Sequence, residues 1–224
     1  SYKYQGVKNL MPVTINGNGH ISGLAVGGLP NGTVDADTLA TNSVTTAKLN
    51  DNSVTHAKTT GFQRRISTTV TLPAANSITH NITTGTKKIE ILISDVSSAS
   101  NSNLHILLGD SGGLETSGYG HAMGFHRTGT SSREATVSNS TAAFSTYGLD
   151  ATSYQIFGTW KLYNPQGNTW VTEHVLWGSA ANNHQFWGNG YKTLSGTMTQ
   201  FNFACTSGNF DSGTVTIVET MGDD

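Results

Sequence analysis

Residues 87–94 read Lys-Lys-Ile-Glu-Ile-Leu-Ile-Ser, and this stretch decides the fold class. Ile89, Ile91 and Ile93 fall on one side, Lys88 and Glu90 on the other, which is the period of two of a half-buried strand. Leu104, Ile106 and Leu108 repeat the pattern just downstream. Upstream, residues 66–72 and 77–83 alternate aliphatic side chains with Thr, Ser and Asn. Further on, residues 154–163 bring Tyr154, Ile156, Trp160 and Leu162 together. The turn string Asn164-Pro165-Gln166-Gly167-Asn168 follows, and then a strand with Val171, Val175 and Trp177 on one face. Residues 191–195, 198–205 and 213–219 complete the set. About eight to ten short strands with no helical period predict an all-β head, an antiparallel β-sandwich of jelly-roll-like type, over residues 62–224.

Residues 31–61 have a different texture. They nearly repeat every ten residues: NGTVDADTLAT, NSVTTAKLND, NSVTHAKTTG. Val34, Val44 and Val54 recur at that spacing, with Leu39 and Leu49 five residues after the first two. One Val and one Leu in about ten residues cannot bury a core of their own. Such units become ordered by packing against copies of themselves. Each unit reads as an extended step followed by one helical turn behind a capping residue, Asp35, Thr45 or Thr55. A single turn is unstable alone, because helix nucleation is unfavourable. The expectation is a homotrimeric stalk with Val34, Leu39, Val44, Leu49 and Val54 facing its axis. Residues 1–30, Gly-rich with short apolar pieces, read as a hairpin or extended arm for attachment.

Composition narrows the function. Only 12% of residues are charged, about half the usual share. The formal net charge of −2 offers no basic surface for nucleic acid and no polybasic patch for a membrane. No apolar run reaches the roughly 18 residues that span a bilayer, and residues 1–13 carry no apolar signal-peptide core. Cys205 is the single cysteine, so neither a disulfide within the chain nor a Cys-based zinc site is expected.

Gly109-Asp110-Ser111-Gly112-Gly113 copies the active-site string of chymotrypsin-like serine proteases. Its context differs: Ser111 is mid-chain, the upstream His80 and His105 sit in alternating strands, and Leu114 follows where Pro is usual. The expectation is a tight turn capped by Asp110. Eight histidines are scattered, and His121 and His126, five apart, align on neither a helix nor a strand face. They predict no metal site and no cofactor, with His56 the one residue that three copies could bring to a shared axis. Glu115, Glu134, Asp150 and Glu173 are carboxylates available to a glycan hydrolase, but no spacing pairs them. The favoured site is a pair of Gly-flanked aromatic loops. One holds Tyr119, His121, Phe125 and His126; the other holds Asn183, His184, Phe186, Trp187 and Tyr191. Rings beside amide and imidazole donors suit a shallow sugar or protein surface.

The strings GLPNGTVDADTLA and NSVTTAKLND resemble the repeats of bacteriophage tail-fibre and related virion proteins. IEILISDVSSASNSNLHILLGDSGGLETSGY and FDSGTVTIVE resemble a carboxy-terminal β-rich domain of tail fibres from marine and environmental phages. The resemblance implies a trimeric, non-enzymatic virion appendage made in a bacterial host. Its amino-terminal arm would bind other virion proteins, and its distal head would bind a host surface glycan or protein. The mount, tail or capsid, stays open. A decoration or structural protein of the particle is the alternative, and a surface-glycan hydrolase a further one.

Overall fold

The computed structural model describes residues 14–15, 21–22, 39–41, 43–49, 65–72, 74–127, 133–146, 155–179 and 184–222. They fall in two compact units, residues 1–55 and 56–224. In the first unit, strands β1 (Thr14–Ile15) and β2 (Ile21–Ser22) pair antiparallel. A single 3-10 turn, Thr46–Lys48, closes on a Lys48 N–H to Thr45 carbonyl bond of 2.9 Å. The turn falls where the second decapeptide is expected to carry one, while the residues before it, with the Ser43 N–H on the Ala40 carbonyl and a bend at Val44, are not an extended strand. Leu39, Val44 and Leu49 are exposed on the single chain; Val34, Val54 and His56 lie outside the described residues.

The second unit is all-β and antiparallel throughout its described residues. Its strands are β3 (Arg65–Thr71), β4 (Ser77–Asn81), β5 (Thr86–Ser98), β6 (Leu104–Asp110) and β7 (Gly113–Leu114). After these come β8 (Tyr119–Arg127), β9 (Arg133–Thr141), β10 (Phe144–Ser145), β11 (Gln155–Gln166) and β12 (Thr169–Ser179). The last three are β13 (His184–Thr193), β14 (Gln200–Cys205) and β15 (Phe210–Met221). One sheet runs β3-β15-β5-β11-β12-β13-β8-β9, and the other β10-β6-β14-β4 with β7 beside β6. The two layers are therefore unequal, eight strands against five. The path β3-β15-β5-β11 and the path β4-β14-β6-β10 make the two layers of the expected antiparallel β-sandwich, and the long sheet is extended beyond β11 by β12, β13, β8 and β9.

Ile89, Ile91, Trp160, Leu162 and Phe186 of the long sheet share one core with Ile106, Leu108, Phe201 and Phe203 of the short one. Each contributes roughly 1.5–3 kcal/mol by leaving water. The alternation at residues 87–94 thus has its stated meaning: Ile89, Ile91 and Ile93 face the second layer. β5 and β11 fall out of step at Phe157, where Ser94 and Asp95 stand against one residue of β11. Asp95 takes a left-handed φ of 58° and Gly158 one of 136° at this bulge. A Cβ on Gly158 would meet the Val175 carbonyl at 2.4 Å, so the bulge requires glycine there.

Candidate functional site: the outer face of the long sheet

The two segments expected to be loops are strands. Residues 119–127 form β8 and residues 184–193 form β13, and the two pair directly, Phe186 opposite Phe125 and Gly190 opposite His121. Tyr119, His121, Phe125, His184 and Phe186 point inward and are buried. This corrects their expected place: they belong to the core, not to loop tips. The Tyr119 hydroxyl lies in hydrogen-bonding reach of the Leu108 N–H and donates to the Glu115 carbonyl, and burial pushes its pKa up to about 12. Trp187 and Tyr191 face solvent, and His126 is half-buried beside Gln185. Asn183 lies outside the described residues.

Trp187 belongs to a larger array that a loop reading misses. Cross-strand register aligns Leu92, Thr159, Val175, Trp187 and Gly124 in one row on the outer side of the long sheet. The next row is Phe157, Trp177, Gln185 and His126. Val175 is 58% exposed, Tyr191 54%, Trp177 46% and Trp187 42%. Directly opposed residues sit about 4.5–5.5 Å apart and diagonal ones about 7–8 Å, so Leu92, Phe157, Val175, Trp177 and Trp187 form one continuous surface, while Tyr191 lies beyond the row of Lys161, Glu173 and Asn189. The signal was present in the sequence, since Val175 and Trp177 were read on one face. What was missing was the side of the sheet on which that face lies.

On its other flank the array meets charges already paired within the chain. Lys161 contacts Glu173 at 3.1 Å, and the Tyr163 hydroxyl donates to the same carboxylate at 3.0 Å. Lys161, then Tyr163, hold the Glu173 carboxyl below its ordinary range. Glu90 pairs with Lys88 at 3.1 Å and with Arg65 at 3.4 Å.

The Gly109–Gly113 string is a hairpin turn between β6 and β7. The Asp110 carboxylate accepts from the Ser195 hydroxyl and from the Gly112 N–H, each at 2.7 Å. Those two bonds, Ser195 first, hold its pKa low. Glu115 binds the nearly buried Lys192 ammonium and accepts the Ser195 N–H at 2.7 Å. Asp110, Glu115 and Tyr119 therefore clamp the turn at residues 195–196 and the end of β6. Ser111 is exposed. Glu115 and Glu173 are each tied to a lysine, while the side chains of Glu134 and Asp150 lie outside the described residues.

Behind the array, His121 on β8 and His174 on β12 are buried in the core. His174 packs 4.5 Å from the Trp160 ring, centroid to centroid. Its two ring nitrogens and Nε2 of His121 are buried without a hydrogen-bond partner. Burial, and secondarily His121, pushes the His174 pKa down to about 4. Among the described residues no group of three or more His, Cys, Asp and Glu side chains is placed to hold a metal ion. A recess of about 280 Å³ opens at the end of the sandwich between the β4–β5 and β11–β12 turns; Lys87 Nζ and Asn164 Oδ1 meet across it at 3.4 Å. Comparison of the chain with protein-family models, curated proteins and solved structures finds no match.

Proposed function

We propose that this chain is a non-enzymatic subunit of a phage appendage, a homotrimer whose β head contacts a host surface. The observation that carries the reading is the outer face of the long sheet. Rings and aliphatic side chains stand in water on a head with few charges, and such a surface is built to be covered. The resemblance of residues 28–40, 42–51, 89–119 and 210–219 to tail-fibre sequences supports the same reading. So does the decapeptide segment, whose Leu39, Val44 and Leu49 are exposed among the described residues and would find cover against other chains.

Within the head, the chain comes in at Arg65, in the same row as Thr220 and Lys88. The opposite end of the sheet carries Trp177, Gln185 and His126 side by side. A ring followed by an amide and an imidazole is the combination that stacks on a sugar and reads its hydroxyls. That margin is the host-facing end in this reading, with a glycan or a surface protein as its ligand. Three copies acting together turn a weak contact into firm adsorption.

Electron microscopy of whole particles labelled with an antibody to this chain tests the proposal. Gold at the tips of fibres is the expected result. Gold spread evenly over the capsid shell moves the chain to the decoration-protein reading. Shortening of an incubated bacterial surface polysaccharide, read by size-exclusion chromatography, would overturn the non-enzymatic assignment.

A further inference from the structure

The recess at the end of the sandwich has a volume of about 280 Å³, just under the about 300 Å³ at which pockets for small organic ligands begin. That suits one sugar ring better than an oligosaccharide. Thr83, Thr84, Thr197, Thr199 and Asn168 line it, and none of their side chains has a hydrogen-bond partner among the described residues. Trp170 lines it too and is buried. The Trp160 indole N–H donates to the Thr172 hydroxyl at 2.8 Å. That of Trp170 has no acceptor within the described residues, so the recess is where one can reach it. A buried donor left without an acceptor costs free energy that a ligand oxygen would recover.

Charge narrows the ligand further. Of the four lysines in the head, Lys88 pairs with Glu90, Lys161 with Glu173 and Lys192 with Glu115. Lys87, in the recess lining, has no carboxylate partner among the described residues; its ammonium meets the Asn164 Oδ1 at 3.4 Å. That amide is held in place, its nitrogen donating to the Gly167 and Thr169 carbonyls at 2.7 and 2.9 Å. No lining residue is acidic. Glu219, bonded to Thr83 and Thr86 of the lining, has its oxygens committed to the Thr83 N–H, the Thr86 hydroxyl and His80. The recess thus offers hydroxyls, an amide, an indole donor and one positive charge.

We propose that this recess binds a single carboxylate-bearing sugar unit, of the hexuronate type. The carboxylate sits on Lys87, and the ring hydroxyls meet the free threonines, Asn168 and the Trp170 N–H. The inference rests on the glycan-binding head proposed above and names an acidic class for its ligand. Tyr163 lies opposite Lys88 near the recess, and Phe157 opposite Trp177 at the other end of the same strand. The two ends are about 20 Å apart at the usual strand rise. A surface polysaccharide running along the head would touch both.

Methyl glucuronide, methyl glucoside and sodium acetate are titrated into the full chain while its four tryptophan indole N–H resonances are followed by NMR. Trp170→Phe identifies the Trp170 resonance. The glucuronide should move it with a dissociation constant on the order of 1 mM, a weak site that three copies make firm. The glucoside should bind about tenfold more weakly or worse, for want of the charge-assisted bond. Acetate should leave the resonance in place. Lys87→Met and Asn168→Asp should each weaken the glucuronide about tenfold or more. Lys88→Met, which removes the same charge one position away, should bind as the parent. If Lys87→Met fails to fold, Asn168→Asp decides. Equal binding of the glucoside or of acetate refutes the acidic-sugar assignment. So does binding about tenfold tighter in the double variant Asp223→Asn, Asp224→Asn, because the chain's own carboxylates would then be what answers Lys87. A Trp170 resonance that no probe moves refutes the site and leaves the appendage reading to the labelled particles. Gold away from the fibres with the glucuronide still bound refutes that reading and leaves the site.

Discussion

Acidification should weaken the head well before its carboxylates titrate, and His174 is the main cause. The ring is sealed between Trp160 and Gly188, where a Cβ on Gly188 would lie 2.4 Å from its Cε1. Neither nitrogen has a partner, so burial favours the neutral form, and a charge on nearby His121 would oppose protonation further. The folded pKa is about 4 against an ordinary 6.5. The unfolded chain therefore binds more protons between those values, and stability falls as pH falls. The contribution is whole above about pH 6.5, is reduced by about 2 kcal/mol at pH 5, and by about 3 kcal/mol below pH 4. His121 and His105, both lowered by burial, act in the same direction. A loss of about 2 kcal/mol is a sizeable part of the about 5–15 kcal/mol that holds a domain together. It corresponds to a midpoint shift of about 1 M urea. The assay is urea unfolding at about pH 7.5 and pH 5.0 for the parent and His174→Leu. That range stays above the Glu219 carboxyl: burial raises its pKa, and the bonds from His80, the Thr83 N–H and Thr86 outweigh burial and lower it. The variant should lose markedly less stability over the interval than the parent. Equal losses in the two proteins would refute the argument.

Phe125→Ala should destabilise the head by about 3–5 kcal/mol, because the ring is buried against Phe186 and His184; thermal unfolding reads this. Glu219→Ala should cost about 2–4 kcal/mol in urea, since His80, the Thr83 N–H and the Thr86 hydroxyl all lose their acceptor. Trp187→Ala should leave unfolding within about 1 kcal/mol of the parent, yet weaken adsorption of the full chain to host cells by about 1–3 kcal/mol per site, read in a binding titration on whole cells. Ser111→Ala should change stability by less than about 0.5 kcal/mol, and the parent should take up no fluorophosphonate; labelling at Ser111 would reopen the acyl-transfer reading.

The strands legible in the sequence are those with one apolar and one polar side. β5 alternates Ile with Lys and Glu, and β6 alternates Leu and Ile with His, so each announces its period and its buried face. β8 and β13 do not. His121 and His184 sit where an aliphatic residue would mark the core, and Trp187 and Tyr191 sit where a polar residue would mark the surface. Hydrophobic alternation therefore reads as noise in both strands, and their glycines read as loop. The Gly109–Gly113 turn was legible because its chemistry is local: Asp110 caps a residue two places on. Its tie to Ser195, 85 positions away, leaves no mark in the string itself.

Those glycines have a common explanation in packing rather than in chain flexibility. A Cβ on Gly120 would lie 2.7 Å from the Tyr191 ring, so the missing side chain is where that ring rests on the outer face. On the inner face a Cβ on Gly188 would collide with His174, and one on Gly190 with the Gly120 carbonyl and with His121. Gly120 and Gly188 are empty positions filled by a ring from the neighbouring strand, and Gly190 admits the close approach of the β8 backbone. The Gly-x-Gly spacing at 188 and 190 follows from the strand period of two, which puts both on the inner side with the histidines. The same strand can then present Trp187 and Tyr191 outward. The segment that reads as the most flexible in the sequence thus joins the buried imidazoles to the exposed rings, and a charge placed on His174 strains the strand that displays Trp187.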